Sequence, residues 1–162
     1  MIEIVEAEPK DVEDVRRLAM EAFAPYGDYG EALPRFFATQ GVHTYLAKEG
    51  DRVRGFIMLG FLPWTGPEAT TDKEWWMADL LAIAVEAEVR QRGLGSRLMR
   101  RVEDLVNEMA EWRDLKEIQL SCAEENEAGL TFFKKQGFVV ASQSHGSYSG
   151  GQAAWRLVRK LA

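Results

Sequence analysis

The chain has a single cysteine, Cys122, in 162 residues, so it can form no internal disulfide and offers no cysteine pair to a metal. Nothing in it calls for an oxidising compartment. It also lacks basic excess: Lys plus Arg number 20 against 26 Asp plus Glu, a formal charge of −6 at pH 7. That balance excludes nucleic-acid binding driven by general phosphate neutralisation. No apolar run approaches the ~18 residues of a membrane span, and the start, Met1 to Asp11, is acidic, without the basic end and apolar stretch of an export signal. The expectation is a cytoplasmic protein with no metal, no membrane partner and no nucleic-acid partner. Internal repeats, low-complexity tracts and linkers are missing too, so residues 1–162 read as a single domain.

What is present is ordinary for a folded chain: 46% hydrophobic and 28% charged residues. Residues 2–7 read as a short strand. From Pro9 the apolar positions Val12, Val15, Leu18, Ala19, Ala22 and Phe23 follow the spacing of an amphipathic helix that stops near Pro25 and Gly27. A weaker helix is predicted over 29–39. His43 to Lys48 and Arg52 to Leu62 form a hairpin across Glu49-Gly50-Asp51, followed by a loop over 63–73. Trp75 to Val85 is almost continuously apolar, a strand buried on both faces and interrupted only by Asp79. After a glycine loop, Leu98, Val102, Leu105, Val106 and Met109 mark a helix of about four turns. Ile118, Leu120 and Cys122 alternate as a strand parallel to the previous one, because a helix joins the two. A helix over about 126–136 ends at Gly137, and strands at 138–141 and 153–158 flank a loop over 143–151. The fold class is α/β, one mixed sheet of six to seven strands with three to four helices.

The glycine loop carries the strongest chemical signal. Gly93 and Gly95 remove side chains where the backbone must turn, and the helix beyond them directs unpaired N–H groups and its positive dipole end into the loop. From Arg90 to Arg101 there are five arginines and no acid. Together these features form a cradle for a compact polyphosphate. Taken alone, Arg97, Arg100 and Arg101 read as a solvated helix face. The dinucleotide fingerprint would need a third glycine where Leu98 stands, and the P-loop ending Gly-Lys-Ser/Thr is missing.

Arg90-Gln91-Arg92-Gly93-Leu94-Gly95 resembles the pyrophosphate loop of the GNAT superfamily of acyl-CoA-dependent N-acetyltransferases, preceded as in that family by Leu-Ala-Ile-Ala-Val at 81–85. Asn126, Gly129, Phe133, Gly137 and Phe138 resemble its downstream helix motif, and the element order is similar from residue 2 to 158. The resemblance implies acetyl-CoA as co-substrate and an amine of a small molecule or peptide as acceptor, attacked directly in a ternary complex. Its cofactor-binding residues would be Ile83, Val85, Arg90, Gln91, Arg92, Gly93, Leu94, Gly95, Ser96, Asn126 and Phe133, with the pyrophosphate on the N–H groups of 91–96. The pantetheine arm would lie like an added strand against Ile83 to Val85. The N–H of Ile83 would stabilise the carbonyl oxygen under attack. A non-catalytic acyl-CoA sensor of the same fold is the alternative, and a homodimer is left open.

Asp79 is the candidate base, six residues before Val85, where the histone-acetyltransferase branch carries a glutamate. A carboxylate in an apolar strand is expected to gain basicity and to act directly or through water. A strand-end Asp bonded to nearby backbone is the structural alternative. Glu74 and Glu86, flanking the strand, are reserve candidates expected to be solvated. Where the family helix often has a tyrosine acid this chain has Phe133. Where the branch acting on ribosomal N-termini has a glutamate it has Ser121. Tyr148, the one phenol in the loop over 143–151, is the substitute acid. Gly129, in place of the usual alanine, is expected to weaken its helix by about 1 kcal/mol. Cys122, which with His43 or His145 would suit a hydrolase, falls in register with core residues. Trp64, Trp75, Trp76, Tyr26 and Tyr29 are candidates for an acceptor cleft, with core packing as the alternative for each.

Overall fold

The structure, a computed structural model, describes residues 1–63, 75–142, 148 and 151–161. β1 (Ile2–Glu6) leads through a 3-10 turn at Pro9–Asp11 into α1 (Val12–Phe23). The turn is fixed by Asp11, whose carboxylate accepts from the N–H of Glu8 at 2.7 Å. There follow α2 (Tyr29–Phe37), β2 (Val42–Glu49), β3 (Arg52–Pro63) and β4 (Trp75–Val85). Then come α3 (Leu94–Ala110), β5 (Asp114–Ala123), α4 (Glu127–Lys135), β6 (Val139–Ser142) and β7 (Ala154–Lys160). The predicted loops over 63–73 and 143–151 lie almost wholly outside the described residues. β7 runs two residues beyond the predicted end, because Arg159 and Lys160 continue the ladder opposite Ile118 and Glu117.

The seven strands form one sheet in the order β1-β2-β3-β4-β5-β7-β6. Only the β4–β5 pair is parallel, as the α3 crossover requires. One face of the sheet packs on α3 and α4, with Leu98, Met99, Val102 and Val106 set against Ile57, Leu59, Ile118 and Leu157. The other packs on α1 and α2, with Val15, Leu18, Ala19 and Leu33 against Leu46, Phe56 and Met58.

β4 serves both cores by changing phase part-way along. Met58 of β3 faces Ala82 and Leu59 faces Leu80, so Leu81 is an extra residue, a β-bulge. Before it, Ala78 and Leu80 belong to the α3/α4 core; after it, Ala82 and Ala84 belong to the α1/α2 core, while Ile83 and Val85 turn to the α3/α4 side. An unbroken apolar segment conceals such a switch, since every residue in it suits either face.

Candidate active site

The site begins where β4 and β5 part. Their ladder runs from Trp75 opposite Asp114 to Asp79 opposite Gln119 and goes no further. Beyond that rung β4 remains paired with β3 as far as Val85, and β5 with β7 as far as Ala123. A cleft of about 1040 Å³ opens between the diverging halves, lined by Leu80 to Val85 on one side and Leu120 to Ala123 on the other. Strand edges that lose their partner present main-chain N–H and C=O groups, which suits an extended, strand-like ligand.

At one end the cleft meets the glycine loop. The chain leaves β4 at Glu86, takes a 3-10 turn over Ala87–Val89 and passes through two left-handed residues, Gln91 (φ 63°) and Gly93 (φ 78°), before α3. Arg90 braces the turn by donating from Nε to the carbonyl of Val85 at 3.0 Å. Alternating left-handed positions gather successive N–H groups into an anion-binding concavity. The N–H of Arg97 donates to the Gly93 carbonyl, leaving those of Leu94, Gly95 and Ser96 at the open helix end. The two glycines serve different needs. Gly93 supplies the left-handed turn, whereas Gly95 lies inside α3, where a Cβ would sit 3.0 Å from the ring of Phe132. Gly95 therefore lets α4 approach the loop; it is not a turning residue.

α4 forms the cleft's far wall. Asn126 caps it, Oδ1 accepting from the N–H of Gly129 at 3.0 Å. A Cβ on residue 129 would come within 2.5 Å of the Asn126 amide, so Gly129 leaves room for the cap as well as lowering helix propensity. Phe133 is buried, edge-on to Phe132 and Phe138. Gln136, at the C-terminal end of α4, donates from Nε2 to the hydroxyl of Ser96 at 3.0 Å.

Three tyrosines also meet at the cleft. Tyr148 lies 5.2 Å from Tyr26 and 6.3 Å from Tyr29, centroid to centroid, and Phe23 stands behind Tyr29 at 5.4 Å. Burial raises the Tyr148 phenol well above the usual tyrosine range, with Tyr29, Cys122 and Tyr26 adding to the shift. Burial also raises Tyr26 and Tyr29. All three phenols are therefore neutral at physiological pH. Burial pushes the Cys122 thiol up to about 11, which suits a core thiol and not a nucleophile. His43 stands on β2 against the ring of Phe61, with two strands between it and β5, and His145 lies outside the described residues.

Of the residues singled out from the sequence, Ile83, Val85, Arg90, Gln91, Gly93, Leu94, Gly95, Ser96, Asn126, Phe133 and Tyr148 all line this cleft. Asp79 and Arg92 do not. Arg92 is exposed. Asp79 is half-buried on the last shared rung of β4 and β5, on the sheet face opposite Ala78 and Leu80. Tyr26 and Tyr29 line the cleft, whereas Trp76 is outside it, its ring 4.1 Å from the Arg113 guanidinium. Trp64, Glu74 and the side chain of Trp75 lie outside the described residues.

Two arginines of the basic stretch are engaged and not merely solvated: Arg97 donates to the Ile2 carbonyl at 2.7 Å, and Arg101 lies 4.5 Å over the Tyr45 ring. Glu86 likewise departs from expectation. It is buried, with guanidinium nitrogens of Arg17, Arg54 and Arg52 at 3.0, 3.1 and 3.1 Å. The Arg52 hydrogen bond, assisted by the charges of Arg52, Arg17 and Arg54, holds its carboxyl below the usual range despite burial. Glu86 is thus an anchor for the loop's departure point and has no basicity to offer. Phe132, Lys135 and Gln136 also face the cleft and were missed; the i, i+4 spacing of Phe132 and Gln136 was the available signal.

Among the described residues no group of three or more His, Cys, Asp or Glu could hold a metal ion, and no helix is long and apolar enough to cross a membrane.

A glycine loop that opens on a helix N-terminus, set beside a fork in a mixed sheet, suits an acyl-group transferase. The model of the Acetyltransferase (GNAT) family matches residues 12–138, and the chain belongs to that family. No curated protein sequence matches it. Among solved structures it is similar to Arabidopsis thaliana NAA60 in complex with acetyl-CoA, at TM-score 0.81 and 15% identity over 99% of each chain. It is similar also to the ribosomal-protein-S18-alanine N-acetyltransferase from Escherichia coli, at TM-score 0.75 and 16% identity over 100% of this chain and 95% of that one. Ard1 from Thermoplasma volcanium gives TM-score 0.75 and 24% identity over 99% and 98%.

Proposed function

We propose that this single-domain protein transfers an acetyl group from acetyl-CoA to an amine of a small molecule or peptide, by direct attack in a ternary complex. The observation that carries the reading is the continuity of the cleft, which joins a glycine loop suited to phosphate, a strand edge that has left its β5 partner and a neutral aromatic chamber. A long donor with an anionic head, an amide-containing arm and a small acyl tip matches those three environments. The NAA60 structure that holds acetyl-CoA shares the fold, which supports the assignment.

Acetyl-CoA supplies an acyl group already activated as a thioester. The N–H groups of Leu94, Gly95 and Ser96, with those of the 91–93 turn, hold its pyrophosphate, and Arg90 keeps the turn in place. The edge of β4 from Ile83 to Val85 aligns the arm, and the Ile83 N–H is the donor proposed for the carbonyl oxygen as charge develops there. Bond formation between nitrogen and the carbonyl carbon requires the amine to lose one proton, while the departing sulfur gains one. Tyr148, a phenol protonated at neutral pH that lines the cleft, is the proposed donor to sulfur. Asp79, at the fork of the two strands but outside the cleft wall, is the proposed acceptor of the amine proton through an intervening water. The acceptor enters between Tyr26, Tyr29 and Tyr148, whose faces suit an amine carried on an apolar or planar group.

The test is a screen of amines, polyamines, amino acids and short peptides for acceptor-dependent release of CoA. Release with at least one class is expected. Acetyl-CoA binding with no release for any class would leave a binding protein and remove the transferase assignment.

A further inference from the structure

We infer that Gln136 is a positioning residue for the donor's pyrophosphate, acting through the hydroxyl of Ser96; this rests on the acetyl-CoA reading of the cleft. Ser96 and Gln136 are forty positions apart, on α3 and at the C-terminal end of α4, and both face the cleft. The bond between them runs from the amide Nε2 to Oγ at 3.0 Å. A serine hydroxyl has one proton to donate and two lone pairs. Gln136 occupies a lone pair and leaves the proton to be directed elsewhere. Ser96 is the third residue of α3, within the first turn, where three backbone N–H groups are open, so a hydroxyl proton there adds a fourth donor to the same concavity. Without Gln136 the hydroxyl could rotate freely or bond back into its own helix. The arrangement also joins the two walls of the phosphate end at a point separate from the Gly95–Phe132 contact.

The direction of the Gln136–Ser96 bond makes the inference testable with charge. A carboxylate at 136 would accept the serine proton, removing the fourth donor and setting a negative group beside the pyrophosphate. An ammonium would retain the donor. Calorimetric affinities for acetyl-CoA and for S-acetylpantetheine, which lacks the pyrophosphate, separate the effects.

For acetyl-CoA, Gln136→Leu is expected to weaken binding by about three- to tenfold, in line with the loss of one hydrogen bond. Gln136→Glu is expected to weaken it further, and Gln136→Lys to hold it near the parent value. S-acetylpantetheine affinity should not change in any of them. In a Ser96→Ala background, Gln136→Leu should have no further effect, which a merely structural role would not produce. Equal acetyl-CoA affinity in parent and Gln136→Leu, an undiminished Leu effect in the Ser96→Ala protein, or parallel losses for both ligands would each overturn the inference while leaving the transferase reading intact. An unsubstituted protein that fails to bind acetyl-CoA would remove both.

Discussion

Gln152 donates its side-chain amide to the carbonyl of Pro25 at 2.7 Å, across 127 positions of sequence, and so ties the turn that carries Tyr148 to the corner that carries Tyr26. Its main-chain carbonyl accepts from the N–H of Tyr148 at 2.9 Å, and the N–H of Gly151 closes the turn on the Tyr148 carbonyl at 2.8 Å. One residue thus holds both sides of the aromatic chamber. Replacing Gln152 by Leu is expected to raise the acceptor KM by about three- to tenfold, the equivalent of one neutral hydrogen bond. Acetyl-CoA affinity, measured by calorimetry, should stay at the parent value, because Gln152 does not line the cleft.

Acetyl-CoA is expected to stabilise the protein by ~2.7 kcal/mol at a hundred times its Kd. At ~2 to 4 °C per kcal/mol for a chain of this size, scanning calorimetry should show a rise in Tm of ~5 to 10 °C. Gly93→Val should abolish most of the rise, since its φ of 78° is hostile to a β-branched residue. An unmoved Tm at saturating acetyl-CoA would end the donor assignment.

Tyr148→Phe keeps the ring and removes the proton donor. A thiol pKa of ~8.5 puts the leaving sulfur only ~1.5 units from neutrality, so the loss in kcat is expected to stay within about tenfold, near 1.4 kcal/mol. Phe133→Tyr should leave the rate unchanged or raise it slightly. Because the Tyr148 phenol is shifted upward, its protonated form persists beyond the ordinary tyrosine range, and kcat should show no alkaline fall from this group below pH ~10. A several-thousandfold loss in Tyr148→Phe with intact acetyl-CoA binding would instead mark an indispensable acid.

Asp79→Asn should lower turnover by roughly 10² to 10⁴, the range for a lost general base, with acetyl-CoA affinity unchanged. Turnover at the parent rate near pH 7 would mean that the amine arrives neutral or that another group takes its proton.

Glu86 makes a prediction about stability. Its folded-state pKa lies below the ordinary value, so its ion pairs stabilise the fold fully above the unfolded pKa of ~4.3 and lose that effect as pH falls through the lower, folded value. Glu86→Gln leaves Arg17, Arg52 and Arg54 without their shared carboxylate and should destabilise the fold at pH 7 by less than a fully buried pair would, because Arg52 is exposed and Arg17 partly so. Urea midpoints for parent and variant should converge as the pH is lowered towards 3; a gap that stays constant would contradict the ion-pair origin.

The shape of the glycine loop was readable because its signals are local: a glycine that must turn and a helix that must begin. The sheet was readable from alternation and from the crossover rule. Glu86 was not, since its environment comes from arginines on α1 and β3 that no spacing connects to it. The reason for Gly95 was misread for the same cause, its constraint being Phe132 on another helix. Tyr26 and Tyr29 could be nominated from type and position, but their convergence on Tyr148 depends on a hydrogen bond between Gln152 and Pro25 that a one-dimensional pattern does not contain.

The bulge at Leu81 sets a parity rule for insertions and deletions in β4. Deleting one residue between Ala82 and Val85 would exchange the small alanines that face α1 and α2 with the larger side chains that face α3, spoiling both cores. Deleting Leu81 itself would instead restore strict alternation and leave Ala82 to Val85 on their present faces, because Leu81 is the extra residue that shares a face with Ala82. Homologous chains that differ in length within this strand should therefore differ by one residue at the bulge itself, and elsewhere by even numbers or with a second phase change that compensates for the first.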